Sequence, residues 1–132
     1  MAIFGAPLPL PDHCGSAVLA AREMIELVGM FNLERAAVDK PPIRIGIGIA
    51  SGEMVAGYTG TNNRATYTCV GDTVNLAARL EDHTKLAQRD ILIDGATRTA
   101  LGDRMPVEQL GAVTIKGKAA LVDVFSVDGA GH

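Results

Sequence analysis

Asn75 and Arg79 stand four residues apart, and of all the polar pairs in this 132-residue sequence they offer the clearest chemistry. They fall in a segment whose apolar residues Val74, Ala77, Ala78 and Leu80 predict a helix over 73–86, with Asp72 as its N-cap. A spacing of four brings both side chains to one helix face. Asn75 also falls in the first turn, where backbone N–H groups point outward with a partial positive charge. An amide, a guanidinium and a helix N-terminus together suit an oxyanion or a phosphate, and arginine presents a two-pronged fork to phosphate oxygens. The plainer alternative is that Arg79 pairs with Glu81, Asp82 or a neighbouring strand, while Asn75 only supports the cap.

The other candidates offer less. Lys116-Gly-Lys118 is a tight basic turn, either a phosphate contact or a solvated hairpin tip. Gly46-x-Gly48 lies inside a strand pattern, whereas a dinucleotide loop joins a strand to a helix. His13, His83 and His132 lack ligand spacing, so no metal site is expected from them. Ser51 has no paired base and no nucleophile-elbow frame. Cys14 and Cys69 are too few for a metal cage or a disulfide framework and read as reduced thiols of a cytosolic protein.

These residues need elements to hold them. Met1–Phe4 reads as a short strand, entered at its middle and broken by the prolines at 7, 9 and 11. Asp12 is the expected N-cap of a helix bearing Val18, Ala21, Ile25 and Val28, ending near Gly29–Asn32. A polar connection over 34–42 leads to the plainest strand, 43–49. There Ile43, Ile45, Ile47 and Ile49 alternate with Arg44, Gly46, Gly48 and Ala50, a nearly bare face that lets another backbone, a helix or a ligand approach closely. Strands are predicted at 54–58, 65–70, 91–93, 107–110, 112–115 and 122–127, with a short helix at 96–101. The order suggests an α+β sandwich of the ferredoxin-like type, helices on one face, spanning 1–127, with 128–132 a frayed tail.

Composition agrees with one packed domain. Apolar residues make up 48% and charged residues 20%, which excludes a disordered chain. Twelve basic against fifteen acidic side chains give a net charge of −3, so no nucleic-acid partner is expected. No stretch reaches the ~20 apolar residues of a membrane span, and no leader is read at the N-terminus. A cytoplasmic setting is expected, with no direct membrane contact from this segment, although a larger, membrane-anchored parent fits equally.

The run Arg44-Ile-Gly-Ile-Gly-Ile-Ala-Ser-Gly-Glu53, then Gly57-Tyr-Thr-Gly60, then Arg64-Ala-Thr-Tyr-Thr-Cys-Val-Gly-Asp-Thr-Val-Asn75-Leu-Ala-Ala-Arg79-Leu80, resembles the class III nucleotidyl cyclases. Met1-Ala-Ile-Phe-Gly-Ala-Pro7 and Ile115-Lys-Gly-Lys118 fit at matching places, so the likeness covers nearly the whole chain. It implies conversion of a nucleoside triphosphate to a 3′,5′-cyclic monophosphate and pyrophosphate, in a head-to-tail dimer with sites built from both subunits. By resemblance Asn75 orients the ribose, Arg79 stabilises phosphate charge in the transition state and Lys116 holds the terminal phosphates. Thr68 contacts the purine, as in adenylate-forming members, which makes ATP the expected substrate; Arg64 is a further phosphate contact. The family's two Mg²⁺ or Mn²⁺ ions are held by aspartates that match nothing in this chain, and the purine-pairing lysine is likewise unmatched. The resemblance is therefore to an incomplete cyclase fold, without its first strand and metal-binding hairpin turn. Two expectations follow: no cyclase activity from this chain alone, and self-association through an unpaired sheet edge. The alternative is a non-catalytic cyclase-homology module that binds nucleotide or pairs with an active partner.

Overall fold

The computed structural model describes residues 1–6, 8–61, 64–114 and 121–127, with side-chain surroundings for all of these but 55, 56, 58–61 and 64–69. Among the described residues, three helices, α1 (His13–Ala37), α2 (Asp72–Ala87) and α3 (Gly95–Leu101), are interspersed with six strands. The strands are β1 (Ile47–Ile49), β2 (Val55–Thr61), β3 (Arg64–Val70), β4 (Ile91–Asp94), β5 (Val107–Val113) and β6 (Val122–Val127). A four-stranded sheet has the order β1-β4-β6-β5, and β2 with β3 forms a separate antiparallel hairpin. β1 pairs parallel with β4, the other neighbours antiparallel.

The core has two halves because β4 is apolar on both faces. Ile91 and Ile93 join Val18 and Ala21 of α1, Leu101 of α3 and Val127. Leu92, on the opposite face, joins Leu80 of α2 and Val124. A strand that buries both faces needs a layer on each. The helices therefore cover both faces of the sheet, where the sequence suggested one. α1 and α3 lie on the isoleucine face of β1, and α2 on its glycine face.

Several boundaries differ from those the sequence suggested. Residues 1–4 form no strand. α1 continues past Gly29 to Ala37, since a lone exposed glycine costs a helix only about 1 kcal/mol. Its extension clamps the returning chain. Asn32 Nδ2 donates to the Ile43 carbonyl at 2.8 Å, Asn32 Oδ1 accepts from the Ile43 N–H at 2.7 Å, and Arg35 Nε donates to the Pro41 carbonyl at 2.7 Å. The strand expected from Ile43 is a ladder only at 47–49, where β4 lies alongside. The two strands expected at 107–110 and 112–115 are one, bulged near Gly111, whose φ is +90°.

Helix caps divide the same way. Asp12 caps α1 as expected, its Oδ1 accepting from the Gly15 N–H. The same carboxylate is gripped by both guanidinium arms of Arg104, with Nη2 to Oδ1 at 3.0 Å. That hydrogen bonding holds the Asp12 carboxyl below its ordinary value. Asp72, in contrast, is not the cap of α2. Gly71 occupies that position at φ +140°, a backbone shape L side chains rarely adopt, and no side chain caps the helix. Asp72 is the first helical residue, where its charge favours the dipole.

Candidate functional site

The site begins with how α2 is seated. Gly48 of β1 and Gly46 just before it face this helix, and atoms of the helix fill the space their missing side chains leave. A Cβ on Gly48 would run into the Ala77 carbonyl and the Glu81 N–H, and would lie 2.8 Å from the Leu80 Cβ. A Cβ on Gly46 would run into the Thr84 side chain. The alternation of isoleucine and glycine therefore sets the height of α2 above the sheet.

With the helix seated this way, Asn75 and Arg79 lie on its outward side. Asn75 is exposed, and its backbone N–H makes the bond to the Gly71 carbonyl, at 3.1 Å, that opens the helix. The Arg79 side chain is 42% exposed, and its Nη1 stands 3.9 Å from the Asp82 carboxylate, itself 69% exposed. This is the pairing foreseen as the plainer alternative. Such an exposed, distant pair contributes little and leaves the guanidinium free to engage an anion. Neither residue is buried against the core, and one chain alone does not enclose them.

The remaining sequence-derived candidates are placed in backbone only, or not at all. Thr68 sits opposite Gly57 in the β2–β3 ladder and Arg64 opposite Thr61; their side chains lie outside the described set. Lys116 and Lys118 lie outside the described residues, as does the tail at 128–132. β3 leads into α2 through Gly71 alone, so the Thr68 backbone is tied closely to the helix that carries Asn75.

A cavity of about 760 Å³ opens on the other flank of α2. Ala17, Ala20 and Met24 of α1, the β1 backbone, and Val74, Ala77 and Ala78 of α2 line it, with Met1–Phe4 across its mouth. Asn75 and Arg79 are not in its lining. Small side chains on both helices, with β1 between them as the edge strand of the sheet among the described residues, make it an apolar groove.

Ser51, set aside in the sequence as a poor nucleophile, proves to be a structural hub. Its Oγ lies 2.7 Å from Thr97 Oγ1 and 3.0 Å from Cys14 Sγ, and its N–H donates to Asp94 Oδ2 at 3.4 Å. Asp94 in turn caps α3 by accepting from the Thr97 N–H at 2.9 Å. The Asp-x-x-Thr spacing is a capping signal that could have been read; the approach of Ser51, forty-three residues upstream, could not.

Among the described residues no group of three or more His, Cys, Asp or Glu could share a metal ion. Asp72, three residues before Asn75, is exposed, and Asp82 stands 3.9 Å from Arg79. These residues do not fit a two-ion centre. Also among the described residues, no helix is long and apolar enough to cross a membrane.

Comparison with known proteins gives this geometry a context. Residues 1–127 match the model of the adenylate and guanylate cyclase catalytic domain. Adenylate cyclase 1 of Rhizobium meliloti is 33% identical over 128 residues, which is 97% of this chain and 19% of that protein. The terminal-differentiation-specific adenylate cyclase of Dictyostelium discoideum is 39% identical over 115 residues, 85% of this chain and 5% of that protein. Among solved structures, the guanylyl cyclase Cya2 superposes with a TM-score of 0.85 at 34% identity, covering 98% of this chain and 64% of that one. The adenylyl cyclase CyaB of P. aeruginosa gives 0.78 at 29% identity, covering 94% and 64%. The chain thus spans a fifth or less of these curated relatives and just under two-thirds of the solved chains. A match along 127 of 132 residues, on a fold that superposes this closely, shows that the chain belongs to the class III adenylate/guanylate cyclase catalytic-domain family.

Proposed function

We propose that this chain is the nucleotide-handling portion of an adenylate cyclase domain in intracellular signalling, acting on ATP to give 3′,5′-cyclic AMP and pyrophosphate. The ribose 3′ oxygen attacks the α-phosphorus, its proton is lost, and pyrophosphate leaves. The observation that carries this reading is the shared outward face of Asn75 and Arg79 beside the N-terminus of α2, with neither spent on a strong internal contact. Asn75 holds the ribose. Arg79 meets the charge that grows on the phosphate, a preorganised contribution that needs no covalent step. Thr68, able to donate and to accept, selects adenine; Lys116 and Arg64 hold phosphates. The Rhizobium and Dictyostelium relatives are adenylate cyclases by name, which supports ATP, although solved neighbours include guanylyl cyclases.

Class III cyclase domains generally use two divalent ions, and no step here is assigned to residues of this chain through them. A site left open by one chain fits completion by a second copy. The exposed apolar side chains Leu27, Met30 and Leu33 of α1 and the free edge of β1 support self-association. The surroundings that suit this chemistry are cytoplasmic.

The test has two arms, both with Mn²⁺ and either ATP or GTP. The 132-residue chain alone is expected to form no cyclic nucleotide. A fusion carrying the upstream part of the Rhizobium catalytic domain ahead of Met1 is expected to turn over ATP in preference to GTP. In the fusion, Asn75→Ala or Arg79→Ala is expected to lower the rate by about 10²–10³. Product from the chain alone, a preference for GTP, or variants with unchanged turnover would each overturn the corresponding part of the proposal.

A further inference from the structure

We propose that Thr73 is a positioning residue for Asn75, holding the first turn of α2 in the orientation that presents the Asn75 amide. The inference rests on the reading of Asn75 as a nucleotide contact. α2 starts without a side-chain cap, behind a glycine at φ +140°. An uncapped first turn next to a glycine is prone to fray. Thr73 does not cap its own turn. Its Oγ1 donates instead to the Glu53 carbonyl at 2.9 Å, on the segment that leaves β1.

That segment is firmly anchored. Two residues before Glu53, Ser51 is bonded to Asp94, Thr97 and Cys14, and these three are 6%, 0% and 4% exposed. The path from the buried end of β4 to the start of α2 thus runs Asp94, Ser51, Glu53, Thr73. Gly48 fixes the height of the helix further along, at Ala77, Leu80 and Glu81. Thr73 fixes the end that carries Asn75, two residues before it.

The experiment compares Thr73→Val, which keeps the shape and loses the donor, with Thr73→Ser, which keeps the donor. Amide hydrogen exchange and ¹H–¹⁵N spectra of the full 132-residue chain supply the readout. The Asn75 N–H is the direct reporter, because its bond to Gly71 opens the helix. Thr73→Val is expected to speed its exchange about five-fold, the weight of one ordinary hydrogen bond, and to shift the Asn75 side-chain amide signals. Exchange at Leu80 and Ile93 should stay unchanged, and Thr73→Ser should restore the original behaviour. Equal Asn75 exchange in the valine variant, a matching rise at Leu80, or no rescue by serine would overturn the proposal. Titration of the fusion described above, with and without Thr73→Val, with ATP and diamagnetic Mg²⁺ reads the other half. If ATP leaves the Asn75 signals unmoved, the nucleotide reading fails, whatever the exchange data show. If ATP moves them and the valine variant binds as tightly as the unaltered fusion, Thr73 does not position Asn75 for ligand.

Discussion

Replacing Gly48 by alanine adds a single methyl group and should disturb both the stability and the site. The new Cβ would sit 2.8 Å from the Leu80 Cβ, against 3.4 Å for ordinary contact, and closer still to backbone atoms of Ala77 and Glu81. Side chains can rotate away from such a clash; a helix backbone cannot. α2 must therefore lift or slide by the better part of an ångström. Overpacking of this kind costs about 1–3 kcal/mol. Asn75 and Arg79 ride on the same rigid helix, and a displacement near 1 Å at a reacting group costs on the order of 10²-fold in rate. Urea unfolding measures the first effect, and turnover of the fusion described above measures the second. Gly29→Ala supplies the control. Gly29 is exposed in α1 with nothing within 4 Å of a would-be Cβ, so the same change there should stabilise by about 0.5–1 kcal/mol. If Gly48→Ala unfolds at the same urea concentration as the unaltered chain, the close seating of α2 on β1 is wrong. If it destabilises but the fusion keeps full rate, the seating is right and its link to the site is wrong.

Three further outcomes follow from named contacts. The Asp12 carboxyl is held below its ordinary value chiefly by its hydrogen bond to Arg104, so this pair's contribution is complete above the unfolded value of 3.8 and is lost as pH falls through the lower folded value. Urea midpoints followed downward in pH should therefore fall less steeply in Arg104→Gln than in the unaltered chain. Removing Asp82 leaves Arg79 with no described ion-pair partner, and Asp82→Asn should change stability by less than about 0.5 kcal/mol, because the pair is long and exposed; a loss of 2 kcal/mol or more would show that Arg79 is structurally committed. Sedimentation of the 132-residue chain should show self-association that rises with concentration, and a strict monomer would count against the open edge of β1 as an interface.

What the sequence could show was set by how local the physics was. The N-cap of α1, the alternation in β1 and the periodicity of α2 depend on residues a few positions apart, and these were legible. The two-sided cover of the sheet was not, because it depends on which face of β4 each helix meets. The run Ile91-Leu-Ile93 carried a clue, being apolar without alternation, which is how a strand buried on both faces reads. The end of α1 was misjudged for a similar reason. Gly29 looked like a stop, yet the hydrogen bonds of Asn32 and Arg35 to residues 41–43 reward continuation, and those partners meet only after the chain has turned back.

The candidate site shows the same division at finer scale. That Asn75 and Arg79 share a face follows from 3.6 residues per turn and needed no structure. What keeps that face outward is the glycine side of a strand some thirty residues earlier and a threonine tether to the segment after it. In the sequence, glycines between isoleucines suggested only that something could approach closely; the structure shows that the approaching backbone is the very helix bearing the two polar residues. The proposed site thus consists of exposed side chains whose geometry is fixed from beneath, by atoms that are missing. A substitution that adds matter under α2 should therefore harm the site more than one that trims an exposed neighbour such as Asp82, and the contrast between Gly48→Ala and Asp82→Asn tests that ordering directly.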